Sequence, residues 1–199
     1  MKKLLIKFLS NPSISIILRK IVELNFRKQK QVIKKYFSVT ESDKILDLGC
    51  GTGELSVFFP AQNYTGIDID PKNIKYATSH YKGKFLVADG KDLPFPDNSF
   101  SKILVVGVFH HLSDTDSKEV INEIKRVLKP DGKFLVMEDT KTKNPITTLM
   151  HRLDQGEYIR NKEDWHKLFS NEFSVENSFS FKNGICFYTT FLLNQPNAN

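Results

Sequence analysis

Cysteine is scarce in this chain. Only Cys50 and Cys186 occur among 199 residues, too few and too far apart for a disulfide framework or a CxxC metal knuckle. Three of the five histidines, His80, His151 and His166, are scattered and give no ligand spacing, so no metal site is expected. No apolar run approaches the ~20 residues that a membrane span requires. The opening Met1-Lys2-Lys3-Leu4-Leu5-Ile6 starts like a secretory signal, yet Lys7 interrupts it and no small-residue cleavage site follows. These absences argue against a disulfide-stapled secreted module and a membrane-spanning protein, and the expected location is the cytoplasm. Internal repeats and a linker that would split the chain are also lacking. Acidic residues are almost missing from the first forty positions, where ten Lys or Arg face a single Glu for a net charge of +9, while the rest of the chain sums to −3. With 40% hydrophobic residues and 16 phenylalanines, the chain can bury one sizeable core and little more.

What is present is a glycine pattern. Ile45-Leu46-Asp47-Leu48-Gly49-Cys50-Gly51-Thr52-Gly53 runs an apolar strand into a loop with glycine at every second position. Such a turn lets backbone approach a ligand closely and adopts positive φ that a Cβ would oppose. The dinucleotide fingerprint places glycine first, third and sixth. Here the sixth place is Glu54, and an acid in the loop would repel a pyrophosphate while suiting a zwitterionic ligand with a positive centre. Tyr64-Thr65-Gly66-Ile67-Asp68 reads as a second strand ending in a carboxylate nineteen residues after Gly49, a spacing that suits two vicinal ribose hydroxyls. A third strand, Phe85-Leu86-Val87-Ala88, ends in Asp89-Gly90, so three strands finish with acids or glycines on one sheet edge.

Strands and helices alternate through the middle of the chain. Asp70-Pro71 caps a helix to Tyr81, Ser101 to Val108 is a buried strand, Asp114 to Lys129 is a helix with Val120, Ile121, Ile124, Val127 and Leu128 inward, and Lys133 to Glu138 is a strand. A helix over Lys162 to Ser170 precedes strands Phe173 to Phe181 and Ile185 to Leu193, which flank the turn Lys182-Asn183-Gly184. The basic arm reads as an amphipathic helix begun by Asn11-Pro12, with Ile14, Ile17, Leu18, Ile21 and Leu24 on one face. It is expected to lie as a lid over the cleft, with Arg19, Lys20, Arg27, Lys28 and Lys30 solvated. Docking on anionic lipid or on nucleic acid are the alternatives.

Asp47 to Gly53 resembles the first motif of the class I S-adenosylmethionine-dependent methyltransferases, small-molecule branch, which includes the ubiquinone and menaquinone enzymes. Gly66-Ile67-Asp68-Ile69-Asp70-Pro71 resembles their second motif, while Ala88-Asp89-Gly90 with Leu93-Pro94-Phe95-Pro96-Asp97-Asn98-Ser99-Phe100 resembles the third block. Arg126-Val127-Leu128-Lys129-Pro130-Asp131-Gly132 resembles the turn before the fifth strand. The resemblance covers about residues 43 to 140. It implies an α/β fold, a Rossmann-like seven-stranded mostly parallel sheet with a C-terminal antiparallel hairpin and helices on both faces, with residues 1–40 as an arm and 41–199 as the methyltransferase domain. It further implies that Asp47, Gly49, Cys50, Gly51 and Gly53 wrap the methionine part of S-adenosylmethionine, with Asp68 on the ribose and Ile69 on the adenine. Asp89, next to Gly90, would bind the exocyclic amine, and Val106 would border the cofactor. Asp70 is assigned to helix capping.

Methyl transfer needs alignment and exclusion of water more than it needs a base. The segment Val106-Gly107-Val108-Phe109-His110-His111-Leu112 stands where the family meets its acceptor, and it lacks the motifs of nucleobase-methylating enzymes. His111 and His110 are the candidates for proton removal, since imidazole titrates near neutral pH. Glu138 and Asp139, at a strand end, could bind a cation or receive a proton. Tyr158 and Arg160, in the insertion before the next helix, are candidate substrate contacts. The expected function is methyl transfer to a small-molecule acceptor with S-adenosylhomocysteine as the product. A nicotinamide-dependent oxidoreductase, a noncatalytic cofactor-binding scaffold and a nucleic-acid methyltransferase using the arm are the alternatives.

Overall fold

Alternation along the strands builds the molecule. In β1 (Ile45–Leu48) neighbouring side chains point to opposite faces, so Ile45 joins one apolar cluster and Leu46 another, and all four residues are buried. The computed structural model describes residues 24–144 and 157–196, together with Ile17, Ile21 and Thr147. The remaining strands are β2 (Tyr64–Asp68), β3 (Lys84–Val87), β4 (Phe100–Val106), β5 (Leu128–Asp139), β6 (Ser174–Asn183) and β7 (Cys186–Asn194). The helices are α1 (Arg27–Tyr36), α2 (Pro71–His80), α3 (Asp114–Val127) and α4 (Lys162–Ser170). The sheet order is β3-β2-β1-β4-β5-β7-β6. Strands β1 to β5 run parallel, and β7 inserts antiparallel between β5 and β6. This is the sheet that the sequence reading expects, and it brings the C-terminal ends of five strands to one edge.

Two apolar layers hold the sheet. Leu46, Ile103, Val105 and Val136 meet α3 through Val120, Ile121 and Ile124 and α4 through Trp165 and Phe169. On the other face Ile45, Leu104, Leu135 and Met137 meet α1 through Val32 and Ile33, with Phe37 just beyond. Each such buried aliphatic side chain contributes roughly 1.5–3 kcal/mol. Helix starts follow their caps. Asp70 accepts from Lys72 N–H at 2.8 Å with Pro71 at the first helical position, Ser113 accepts from Asp116 N–H, and Asn161 accepts from Asp164 N–H.

Several boundaries move for physical reasons. Strand β4 stops at Val106, two residues early, because Gly107 takes φ +69° and turns the chain. Helix α3 stops at Val127 because Leu128 is already extended and Lys129 precedes Pro130, a position that disfavours helix. The hairpin turn lies one residue later than expected, with Asn183 paired to Cys186 around Gly184 at φ +60°. Glycine at the first position of a two-residue loop is what a II′ turn demands.

The arm also departs from expectation. Ile17, Ile21 and Leu24 of the apolar stripe are 58%, 68% and 56% exposed, so these three do not pack on the cleft. Ile14 and Leu18, with Asn11-Pro12, lie outside the described residues. Among the described residues the wall over the cleft is made by Phe26, just before α1, and Gln29 in its first turn.

Candidate active site

The tips of β1 and β4 share one hollow with the start of α1, and the tip of β2 buttresses the loop that lines it. The loop after β1 is pinned from below, since Gly49 and Cys50 N–H both donate to Ile67 O at 2.8 Å and Gly51 N–H donates to Asp68 Oδ2 at 2.9 Å. Gly49 takes φ +73°, and a Cβ there would overlap Val108 Cγ2 from the tip of β4. Gly53, at φ +86°, would press a Cβ on Ala77 of α2 at 3.0 Å. The alternate glycines are therefore required by two close approaches as well as by backbone sign. A hollow of about 390 Å³, counted with its open mouth, is lined here by Asp47, Gly49, Cys50, Glu54, Leu55 and Val106, with Phe26 and Gln29 as the opposing wall.

Gln29 is fully buried and accepts from Asn183 Nδ2 at 2.5 Å, while Lys28 N–H donates to Asn183 Oδ1. The β6–β7 turn thus clamps the start of α1 over the hollow. Sequence reasoning missed Phe26, Gln29 and Asn183, because their meeting spans over 150 residues and no local pattern announces it.

Asp47 is 2% exposed and its Oδ2 accepts from the Tyr64 hydroxyl at 2.7 Å. Burial, reinforced by the carboxylates of Asp68 and Glu54, pushes its pKa up to about 7 against the pull of that hydrogen bond. Burial beside the same acids drives the Cys50 thiol far up, so Cys50 is a neutral wall and not a nucleophile. Asp47 binds its proton more tightly folded than unfolded. Its stability contribution is therefore full below about pH 4 and is lost as pH rises toward 7. We expect Asp47→Asn to raise the melting temperature of the ligand-free protein at pH 8 by several degrees, with the gain shrinking toward pH 4. Scanning calorimetry at both pH values checks it, and a lower melting point at pH 8 would contradict it.

Asp68, half-buried at the tip of β2, accepts also from Asp70 N–H at 2.8 Å, which with the Gly51 bond fixes its carboxylate beside the glycine loop. Beside it Ile69 and Val87 are 70% and 54% exposed. Asp89 is exposed, and the following Gly90 is half-buried. The tips of β2 and β3 therefore carry two exposed apolar side chains and two carboxylates on the same sheet edge.

The histidine pair separates. Glu138 is fully buried and its carboxylate accepts from Val108, Phe109 and His110 N–H at 2.9, 3.0 and 3.2 Å and from His110 Nδ1 at 2.9 Å. His110 is 2% exposed, and with the fully buried Glu138 it fixes the turn after β4. Asp139 is 6% exposed, and its carbonyl accepts from the Trp165 indole N–H at 3.0 Å. His111 is exposed on that turn, its ring 4.1 Å from the His110 ring.

Arg160 has other work than substrate contact. Its guanidinium donates to Phe109, Tyr158 and Leu112 carbonyls and to Asp114 Oδ1, and lies 4.8 Å over the Trp165 ring. It staples the returning segment 158–160 onto the turn, helped by Tyr158 N–H donating to His110 O. The Tyr158 side chain is 42% exposed beside the turn that carries His111.

The geometry agrees with comparisons to known proteins. Residues 46–136 match the family model described as a methyltransferase domain. The chain is 34% identical over 131 residues to a demethylmenaquinone methyltransferase of Lactobacillus johnsonii, covering 58% of this chain and 53% of that protein. The chain spans about half the length of the curated relatives it matches. Among solved structures, a Pyrococcus horikoshii protein aligns at TM-score 0.68 with 21% identity over 89% of this chain and 96% of that one. The geranyl diphosphate C-methyltransferase of Streptomyces coelicolor, solved with geranyl diphosphate and S-adenosyl-L-homocysteine, aligns at 0.71 with 11% identity over 87% and 79%. The glycine loop, the carboxylate at the tip of β2 and the sheet order agree with these similarities: residues 46–136 are similar to a methyltransferase domain, and the chain has the fold of the aligned structures.

Proposed function

We propose that this chain transfers a methyl group from S-adenosylmethionine to an oxygen, carbon or nitrogen atom of a small, apolar acceptor by in-line displacement. The observation that carries the reading is the convergence of the Gly49–Gly53 loop, Asp68 and the Ile69, Val87 and Asp89 side chains on one sheet edge, which matches the three parts of the donor. The bound donor supplies a methyl group already activated by positive sulfur. The protein's residues then align and shield. Asp47, Glu54 and Asp68 favour a cationic ligand over a pyrophosphate, and Phe26 and Gln29 keep water from the hollow. His111, exposed on the turn that Glu138 fixes, is placed to take a proton from the acceptor, with Tyr158 as a substrate contact. An apolar acceptor is supported by the relative named for demethylmenaquinone.

Calorimetry with S-adenosylhomocysteine and with NAD tests the reading, with heat expected from the first alone. Heat from NAD alone would install the oxidoreductase. Incubation with the methyl donor and an acceptor panel, read by mass spectrometry, follows, and cofactor binding with no product from any acceptor would favour a noncatalytic scaffold. Residues 1–40 form an accessory arm to the catalytic unit in this reading. Its +9 charge and the exposed Ile17, Ile21 and Leu24 support peripheral contact with an anionic surface, membrane before nucleic acid. Binding to phosphatidylglycerol vesicles is expected to fall steeply with salt, and retention only on RNA would point to nucleic acid. Among the described residues no helix is long and apolar enough to cross a membrane.

A further inference from the structure

Glu54 is a buried carboxylate on the wall of the hollow whose place the fold does not explain. It follows the last glycine of the loop and is only 9% exposed. Its Oε2 accepts from the Thr52 hydroxyl at 2.7 Å, which fixes the side chain, while Oε1 meets no hydrogen-bond donor among the described residues. Leaving a buried carboxylate oxygen unmatched is costly, so such an atom usually awaits a partner. Glu54 lines the same hollow as Asp47 and Gly49. Asp47 is already matched by the Tyr64 hydroxyl, and Asp68 by Gly51 and Asp70 N–H. The acid best left to receive an incoming cation is therefore Glu54.

We propose that Glu54 Oε1 accepts a charge-assisted hydrogen bond from the α-ammonium group of the donor's amino-acid arm, and so selects donor and product over adenosine derivatives that lack that arm. The inference rests on the methyl-donor reading above. Thr52 is a positioning residue in this arrangement: its hydroxyl occupies one carboxylate oxygen and leaves the other facing the hollow. The loop thereby recognises a cation with a side chain, while its glycine backbone lies against the rest of the ligand. A neutral thioether nucleoside would gain nothing from Glu54.

The test compares Glu54→Gln with the unaltered protein by calorimetry against three probes. These are S-adenosylhomocysteine, its deaminated analogue, which keeps the carboxylate, and 5′-methylthioadenosine, which has no amino-acid arm. Charge-assisted bonds of this kind predict a roughly 10- to 100-fold loss of affinity for S-adenosylhomocysteine in the variant. Affinity for 5′-methylthioadenosine should stay within about twofold, and the preference for S-adenosylhomocysteine over its deaminated analogue should disappear. Retained 5′-methylthioadenosine binding also certifies that the variant is folded. Equal affinity of both proteins for S-adenosylhomocysteine would overturn the inference, as would an equal loss for all three probes, which would make Glu54 a loop brace. Failure of the unaltered protein to bind any of the three would instead remove the methyl-donor reading itself.

Discussion

Replacing Glu138 by alanine is expected to lower the melting temperature by about 10 °C, a loss of ~3–5 kcal/mol. The size follows from what the carboxylate does. Three successive N–H groups, from Val108, Phe109 and His110, and the ring of His110 converge on its two oxygens inside a fully buried site. Alanine strands buried donors and opens a cavity, each of which carries its own cost. Glutamine should fall between, because one oxygen still accepts from Val108 and Phe109 while the amide turns two hydrogens toward His110. Thermal unfolding followed by circular dichroism ranks the three proteins, and an alanine variant melting with the unaltered protein would refute the role. The consequence reaches the chemistry, since the turn that Glu138 holds also carries His111 and packs Val108 against Gly49.

How much of this was legible in the sequence depended on whether the cause was local. Strand β1, the glycine loop, the Asp70 cap and helix α4 all rest on neighbours in the chain, and each stands where the residues place it. The Asp68 and Gly51 pairing also follows from topology, because parallel β1 and β2 in register bring their tips together. Other features answer to partners far along the chain. Histidine at position 110 reads as a candidate base, and its bond to Glu138 spans 28 residues. Arg160 reads as a candidate substrate contact, and nothing near it in the chain announces its bonds to Phe109, Leu112 and Asp114. Arg126 is similar, holding the Leu93 and Phe95 carbonyls with Asp97 and Glu123 and so securing the loop that precedes β4. The arm shows a related limit. Its periodic isoleucines drew attention, whereas the residues that face the hollow, Phe26 and Gln29, come after the pattern ends. Phe26 stands at φ +55°, in a left-handed conformation that no sequence rule would assign to phenylalanine.

Removing the His111 imidazole, as His111→Ala, is expected to cut kcat by about 100-fold for an oxygen or nitrogen acceptor while the Kd for S-adenosylhomocysteine stays within about twofold. The separation of the two effects follows from geometry. In the proposed reading the donor lies along the tips of β1, β2 and β3, whereas His111 stands on the turn after β4, outside the hollow's lining and exposed to whatever approaches it. Strand β4 pairs with β1, which sets this turn beside the glycine loop where the reactive carbon would lie. A base there acts on the acceptor and leaves donor affinity alone. It also imposes a pH signature: kcat/KM should rise with pH over the range in which imidazole loses its proton, and the alanine variant should lose that limb. A merely structural role would lower the rate at every pH without changing the profile's shape. Turnover unaffected by the substitution would return His111 to the surface residues and leave alignment and exclusion of water as the protein's whole contribution to the reaction.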